Sequence, residues 1–345
     1  QAQMLLFYIP MEVQLKMDQY GEHASLYVWK HMGTYFNDLL DAFSREKNIR
    51  FLDLLGDFEQ NKSQGLLRQF GCEVQNLNGR IIGGEDKNCK VEDVEEIAFE
   101  TSYLAGRSSM SRVYDRYGHY LGFGAGNPAR MTAMGVIYGI KSCFRFMGIR
   151  DSLYDKKFVI QGHGAVGKEI TSILKEKSVL SQNLCITDND AYEAFLLKHE
   201  QEHGVKRYVG GITFLESGTE YDEECDVFVP SAGGGVLNTE TINRLKCKIV
   251  AGPANNPLDS PEKNSEHLLE KGIVYAPDFV INAGGLLDVF DELKGYCSTR
   301  VEEEVQKIGR RIFDVLHFSK ESGVDTHRMA EIFATVRIAE KKSQQ

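Results

Sequence analysis

Residues 156–167, KKFVIQGHGAVG, constrain this chain more than any other segment. An apolar run of strand character is followed by Gly162-His163-Gly164-Ala165-Val166-Gly167, and that glycine-spaced turn opens the helical pattern GKEITSILKEK. Gly162 permits a tight turn, Gly164 lets the backbone approach a pyrophosphate, and Gly167 allows helix and strand to pack closely. The helix N-terminus, with Ala165 and Val166 in its first turn, offers N–H groups and a partial positive charge to phosphates. A second strand, LCIT, ends at Asp188, about 20 residues further on, where an acid accepts hydrogen bonds from ribose hydroxyls. An acid there repels a 2′-phosphate, which favours NAD over NADP. Asp188 also reads as a turn residue of TDND, with Asp190 as the alternative ribose ligand.

Three later segments repeat the theme of an apolar run ending in small or polar residues: CDVFVPSA, CKIVAGPA and GIVYAPDFVINAGG. Strands alternating with helices predict a parallel, doubly wound sheet. Upstream, the spacing predicts a helix over 61–74, a short strand at Ile81-Ile82 and a helix with an acidic first turn over 91–106. Residues 107–127 read as a long loop, and the helix that follows starts or crosses into a second domain. The C-terminal stretch from Val301 reads as two charged amphipathic helices. At 345 residues, two domains are expected.

Forty basic against fifty acidic side chains give a net charge of −10. This argues against nucleic-acid binding, which needs a positive surface, and against an anionic membrane surface. No apolar run has the length of a spanning helix. The opening QAQMLLFYIPMEVQLKMDQY shows neither a basic n-region nor a small-residue cleavage site, so no signal peptide is expected. The seven cysteines are scattered without a CxxC, so no metal site or disulfide framework is expected, and a cytoplasmic setting is.

Beyond these patterns, VIQGHGAVGKEI, DVFVPSAGGGVLN, KIVAGPANNPL and GIVYAPDFVINAGGLLDVFDEL stand in a characteristic order and spacing. Together with GDFEQNKSQGLLRQFG, NLNGRIIGGED, FETSYLAG and GNPARMTAMGV upstream, they resemble the Glu/Leu/Phe/Val amino-acid dehydrogenase family. The likeness spans about residues 56–340 and is strongest to its leucine, phenylalanine, valine and tryptophan dehydrogenases. It implies an N-terminal α/β catalytic-type domain plus a Rossmann dinucleotide-binding domain. The expected division is 1–130, rejoined by a C-terminal helix over 321–345, and 131–320. It also implies a homodimer or larger homo-oligomer.

The resemblance assigns the dinucleotide to Gly162, Gly164, Gly167 and Asp188, and the nicotinamide ribose to Ala232 and Gly233. Asn255 and Asn282 would hold the nicotinamide carboxamide or the substrate, with Thr132 beneath the ring. Asn127, Leu286 and Val289 would line the substrate pocket; the last two equally suit an ordinary helix core. Asp86 matches the family's proton-relaying aspartate, although by itself it reads as a turn residue.

The family's glycine-rich substrate loop and its two lysines find no match here. Counting back from Gly56 puts Phe51 where the catalytic lysine is expected, and TYFN puts Phe36 where the carboxylate-binding lysine is expected. One lysine pairs with the α-carboxylate; the other, its pKa lowered by burial, activates water. Phenylalanine does neither. Arg50 could clamp a carboxylate with two hydrogen bonds, and Lys47 or Lys87 could stand in, or all three are solvated surface charges. In the tyrosine-rich stretch 107–126, His119 is a candidate acid or a solvated loop residue. Three readings follow: a divergent NAD-dependent oxidoreductase acting at a C–N or C–O centre of an amino-acid-derived substrate, possible in specialised biosynthesis; a non-catalytic NAD-binding relative; and an ordinary branched-chain or aromatic amino-acid dehydrogenase.

Overall fold

A computed structural model describes residues 112–114, 120–150, 152–188, 207–209 and 211–343. The chain divides into two compact units, Gln1–Pro128 with Leu286–Val301 and Ala129–Gly285 with Glu302–Gln345. The elements expected over 61–106 lie outside the described residues.

In the first unit, β1 (Arg112–Tyr114) pairs antiparallel with β2 (Tyr120–Phe123), with a register irregularity between Val113 and Tyr114. This corrects the reading of 107–127 as loop throughout. Runs of β-branched and aromatic residues suit a pleated surface even when glycines flank them. The returning segment seats on β2: the Ala125 N–H donates to the Glu292 carboxylate at 2.6 Å. Arg300 makes a bidentate pair with Asp291, both bonds at 2.6 Å, and also donates to the Gly295 carbonyl. Fork-to-carboxylate pairing of this kind fixes geometry as well as charge.

The second unit is built on a seven-stranded sheet. Its strands are β3 (Phe158–Gln161), β4 (Leu184–Thr187), β5 (Arg207–Val209), β6 (Ile212–Phe214), β7 (Val227–Pro230), β8 (Ile249–Val250) and β9 (Val274–Tyr275). Their spatial order is β5-β6-β4-β3-β7-β8-β9. Every pairing is parallel except β5 with β6. All four residues of β3, β4 and β7 are buried, which is why these strands read as unbroken apolar runs: both sheet faces are covered. Strand order reverses between β3 and β7, and in such sheets the crevice outside the carboxyl ends at that point is where ligands bind.

Helix α1 (Ala129–Phe146) opens the unit and lies against α2 (Ala165–Glu176), which buries Ile170, Ile173 and Leu174 at helical spacing. Each such side chain contributes about 1.5–3 kcal/mol by leaving water. The helices α3 (Thr239–Arg244), α4 (Pro261–Glu270), α5 (Asp278–Ile281), α6 (Gly284–Asp291), α7 (Ser298–Ser322) and α8 (Thr326–Ser343) follow among the described residues. A Cβ at Gly135 or Gly139 of α1 would strike Ile308 or Ile281 side chains at 2.8 and 2.5 Å, so small residues set this helix contact.

The C-terminal helix differs from the expected division. It groups with the second unit, and 286–301 is the segment that returns to the first. Its packing explains this. The His327 N–H donates to Ser265 Oγ on α4 at 3.3 Å, the His327 ring meets Phe279 edge-on, and Met329 and Ala330 cluster with Val315. Among the described residues no helix is long and apolar enough to cross a membrane.

Candidate active site

The residues singled out in the second unit fall at the carboxyl ends of its strands and form one continuous run of contacts. It begins after β4. There the Asp188 carboxylate accepts the backbone N–H of His163 at 2.5 Å, and the Gly162 N–H donates to the Thr187 carbonyl at 2.7 Å. The turn after β3 is thereby tied to the end of β4. Burial holds the His163 imidazole below its ordinary pKa, and repulsion from Lys168 adds to this.

Gly162 has φ +97°, and a Cβ there would meet the Ala232 backbone at 2.8–2.9 Å. Both facts demand glycine. A Cβ on Gly167 would fall on the Gly162 carbonyl oxygen, so the third glycine serves the fit of the helix start against the turn itself. Gly164 differs: a Cβ there would meet nothing within 4 Å. No side chain caps α2 and its first turn carries no acid. The N–H groups of Ala165 and Val166 begin the helix at its positive end, with Gly164 between them and the His163 N–H that the Asp188 carboxylate accepts.

The loop after β7 carries the run onward. Ala232 abuts Gly162, Gly233 faces open space, and a Cβ on Gly234 would lie 2.9 Å from the Asn256 carbonyl and 3.1 Å from that of Asn255. Asn255 then meets Asn282: the Asn282 amide donates to Asn255 Oδ1 at 2.7 Å and to the Pro253 carbonyl at 3.3 Å. Asn282 closes α5, and a Cβ on Gly284, two residues later, would fall on the Met131 carbonyl and lie 3.0 Å from the Thr132 nitrogen. Thr132, in the first turn of α1, thus shares this end of the sheet.

Sequence reasoning missed what holds the asparagines. Asp278 is 1 % exposed; it accepts the Asn256 N–H at 3.0 Å and the Tyr275 hydroxyl at 3.0 Å. Burial, with the Asp278 charge beside it, pushes the Tyr275 hydroxyl pKa well up, so it remains a donor. Asn256 sits at φ +51°, a conformation this bond helps to hold. An acid directly after Ala276-Pro277, inside an otherwise apolar run, was the available signal. Sequence reasoning also missed buried polar atoms at these strand ends. Gln161 Oε1, His163 Nε2, Thr187 Oγ1 and Ser231 Oγ have no hydrogen-bond partner among the described residues. Such atoms call for an explanation, since unpaired buried polar groups cost about 1–3 kcal/mol each.

The other expected site residues belong to the first unit or lie outside the described residues. Leu286 is half-buried and Val289 is 9 % exposed, on the part of α6 that belongs to the first unit. That burial of Val289 suits the helix-core reading. Asn127 is exposed, just before α1. Asp86, Arg50 and Phe51 lie outside the described residues, as do Phe36, Lys47, Lys87, Asp190 and His119. Among the described residues no group of three His, Cys, Asp or Glu could hold a metal ion.

Strand order, switch point and glycine turn define an α/β protein of the Rossmann class. The family described as Glutamate/Leucine/Phenylalanine/Valine dehydrogenase matches residues 124–345. Leucine dehydrogenase of Thermoactinomyces intermedius is 38 % identical over 286 residues, 83 % of this chain and 71 % of that protein. L-tryptophan dehydrogenase of Nostoc punctiforme is 37 % identical over 283 residues, 82 % of this chain and 73 % of that one. Its crystal structure superposes with a TM-score of 0.64 at 35 % identity, covering 82 % of this chain and 75 % of that one. The hetero-hexameric glutamate dehydrogenase of Thermus thermophilus, 18 % identical with a TM-score of 0.60 over 80 % of this chain and 68 % of that one, shares the fold. The chain belongs to the Glu/Leu/Phe/Val dehydrogenase family and is an oxidoreductase of the amino-acid dehydrogenase type.

Proposed function

We propose that this chain transfers hydride between NAD(H) and the C–N centre of an amino-acid-derived substrate. The observation that carries the reading is the unbroken run from Asp188 through the glycine turn and the Ala232 loop to the Asn255–Asn282 pair. It supplies, in order, what an extended dinucleotide needs.

The residues fit such a group. Gly164 leaves open the space a Cβ would fill, α2 begins without a capping side chain, and buried polar atoms of His163 and Ser231 lack partners among the described residues. Gly162, Gly164, Ala165, Val166 and Gly167 would hold the pyrophosphate and Asp188 the adenosine ribose. Ala232 and Gly233 would flank the nicotinamide ribose, and Asn255, Asn282 and Thr132 the nicotinamide. Asp188 favours NAD over NADP, because a carboxylate repels a 2′-phosphate. When bound, the nicotinamide supplies the hydride donor or acceptor; the protein's part is orientation and exclusion of water.

The first domain would carry the substrate, and Asp86 would move the proton at the reacting carbon. Asn127, Leu286 and Val289 would border the side chain, with Phe51 and Arg50 beside them. A homodimer or larger homo-oligomer and a cytoplasmic setting belong to the same reading. With Phe51 at the expected lysine position, hydrolysis of an iminium lacks its water-activating base. Reduction of a preformed imine needs only hydride and a proton, so that chemistry suits the sequence better than deamination of a free amino acid. The names of the relatives favour the ordinary amino-acid dehydrogenase reading, oxidative deamination of an apolar amino acid. Assaying NADH oxidation with cyclic imines, and NAD reduction with leucine, phenylalanine, valine and tryptophan, separates the two.

A further inference from the structure

The cysteines unused by this chemistry are not all scattered in space. Val227 lies opposite Ile249, and Phe228 opposite Val250, in the parallel β7–β8 ladder. An isolated bridge joins Glu224 to Lys246 in the same register, and the Cys225 N–H donates to the Lys246 carbonyl at 3.3 Å. That register puts Cys225 directly opposite Cys247, on neighbouring chains about 4.8 Å apart. A disulfide accepts Cα separations of about 4.4–6.8 Å. Both cysteines are half-buried, both pack at the edge of the cluster formed by Phe228, Leu245 and Val250, and both are free thiols.

Their surroundings separate this pair from the other described cysteines. Cys143 and Cys185 are 0 % and 2 % exposed, beyond the reach of a reagent, and Cys297 is exposed in the first unit. No third ligand stands beside the pair to complete a metal site among the described residues. It sits at the amino ends of β7 and β8, the opposite end of the sheet from the glycine turn.

We propose that Cys225 and Cys247 form a vicinal dithiol that low-molecular-weight disulfides, such as oxidised glutathione, convert reversibly to an intrachain disulfide. One of the two thiols, as the thiolate, displaces one glutathione thiolate and forms a mixed disulfide. The other then gives up its proton, attacks the sulfur of its neighbour and releases the second glutathione. Two protein thiols are oxidised, one glutathione disulfide is reduced, and the two protons leave on the two glutathione thiols. In a reducing compartment such a bond is transient and serves as a sensor.

The test treats the reduced full-length protein with oxidised glutathione and follows intact mass and peptide mapping. The expected result is the loss of two hydrogen atoms, with one bridged peptide pair containing Cys225 and Cys247, reversed by dithiothreitol. Cys225→Ser should stop at one added glutathionyl group on Cys247. Peptides that carry Cys225 and Cys247 as separate thiols after treatment, or a bridge from Cys247 to a different cysteine in the unmodified protein, would overturn the proposal. Mapping of the unmodified protein decides this even if the variant fails to fold.

Discussion

The backbone N–H of His163 donates to the Asp188 carboxylate at 2.5 Å, so the acid expected to read a ribose also holds the glycine turn in place. Asp188→Ala should therefore weaken NADH binding by more than NADPH binding, and should loosen the turn for both. A hydrogen bond to a charged acceptor is worth about 1.5–3 kcal/mol, or roughly 10- to 150-fold in affinity. Titration calorimetry with both nucleotides gives the ratio. Tighter NADPH than NADH binding by the unmodified protein would remove Asp188 from the ribose.

Gly167→Ala places a Cβ on the Gly162 carbonyl oxygen, where backbone cannot give way cheaply. Overpacking costs about 1–3 kcal/mol, read as a lower urea midpoint, and NADH affinity should fall with it. Gly164→Ala meets open space and should leave stability nearly unchanged while weakening NADH binding. That contrast tests whether the second glycine serves a ligand and the third serves the fold.

The Asp278 carboxylate accepts from Asn256, the residue next to Asn255 of the asparagine pair, and from Tyr275. Asp278→Ala leaves the buried Tyr275 hydroxyl and the Asn256 N–H without their acceptor. The loss should be about 1–3 kcal/mol for each group stranded, measured by urea denaturation. An unchanged midpoint would mean that water replaces the carboxylate.

The Glu/Leu/Phe/Val family and the parallel sheet were legible because their signals are local: Gly162, Gly164 and Gly167 sit between a buried strand and a helix. Other features depend on partners distant in sequence. Nothing near Asp278 announces that it will meet Tyr275 and Asn256 at once. The pairing of Arg112–Tyr114 with Tyr120–Phe123 was hidden by Gly118 and Gly122, which read as loop. The place of the C-terminal helix followed from the Ser265 and Phe279 contacts of His327, which periodicity cannot show.

Burial pushes the Asp288 carboxyl up to about 6; the Tyr296 hydrogen bond at 2.9 Å opposes this and Asp291 adds to it. A carboxyl whose folded pKa exceeds its unfolded value near 4 binds more protons when folded. Its contribution to stability is therefore largest below pH 4 and falls as pH rises from about 4 to 6, by roughly 3 kcal/mol. Asp288→Asn should flatten that part of the stability profile in urea titrations. An unmodified slope would show that the carboxyl is ionised throughout.

Free amino acids should be poor substrates. Phe51 stands where a water-activating lysine is expected, and loss of general acid–base help lowers rates by roughly 10²–10⁴-fold. Steady-state deamination of leucine, phenylalanine, valine and tryptophan should be slow while NADH still binds. Fast deamination would mean that Lys47, Arg50 or Lys87 supplies the cation.

The most direct measurement of the central claim is NADH oxidation by the full chain against a panel of cyclic imines and of 2-oxo acids with ammonium, beside a direct measurement of NADH binding. The account predicts binding, oxidation that depends on a C–N acceptor, and loss of that oxidation in Asp86→Asn with binding retained. NADH bound tightly but never oxidised by any member of the panel would contradict it and make the chain a non-catalytic nucleotide-binding relative.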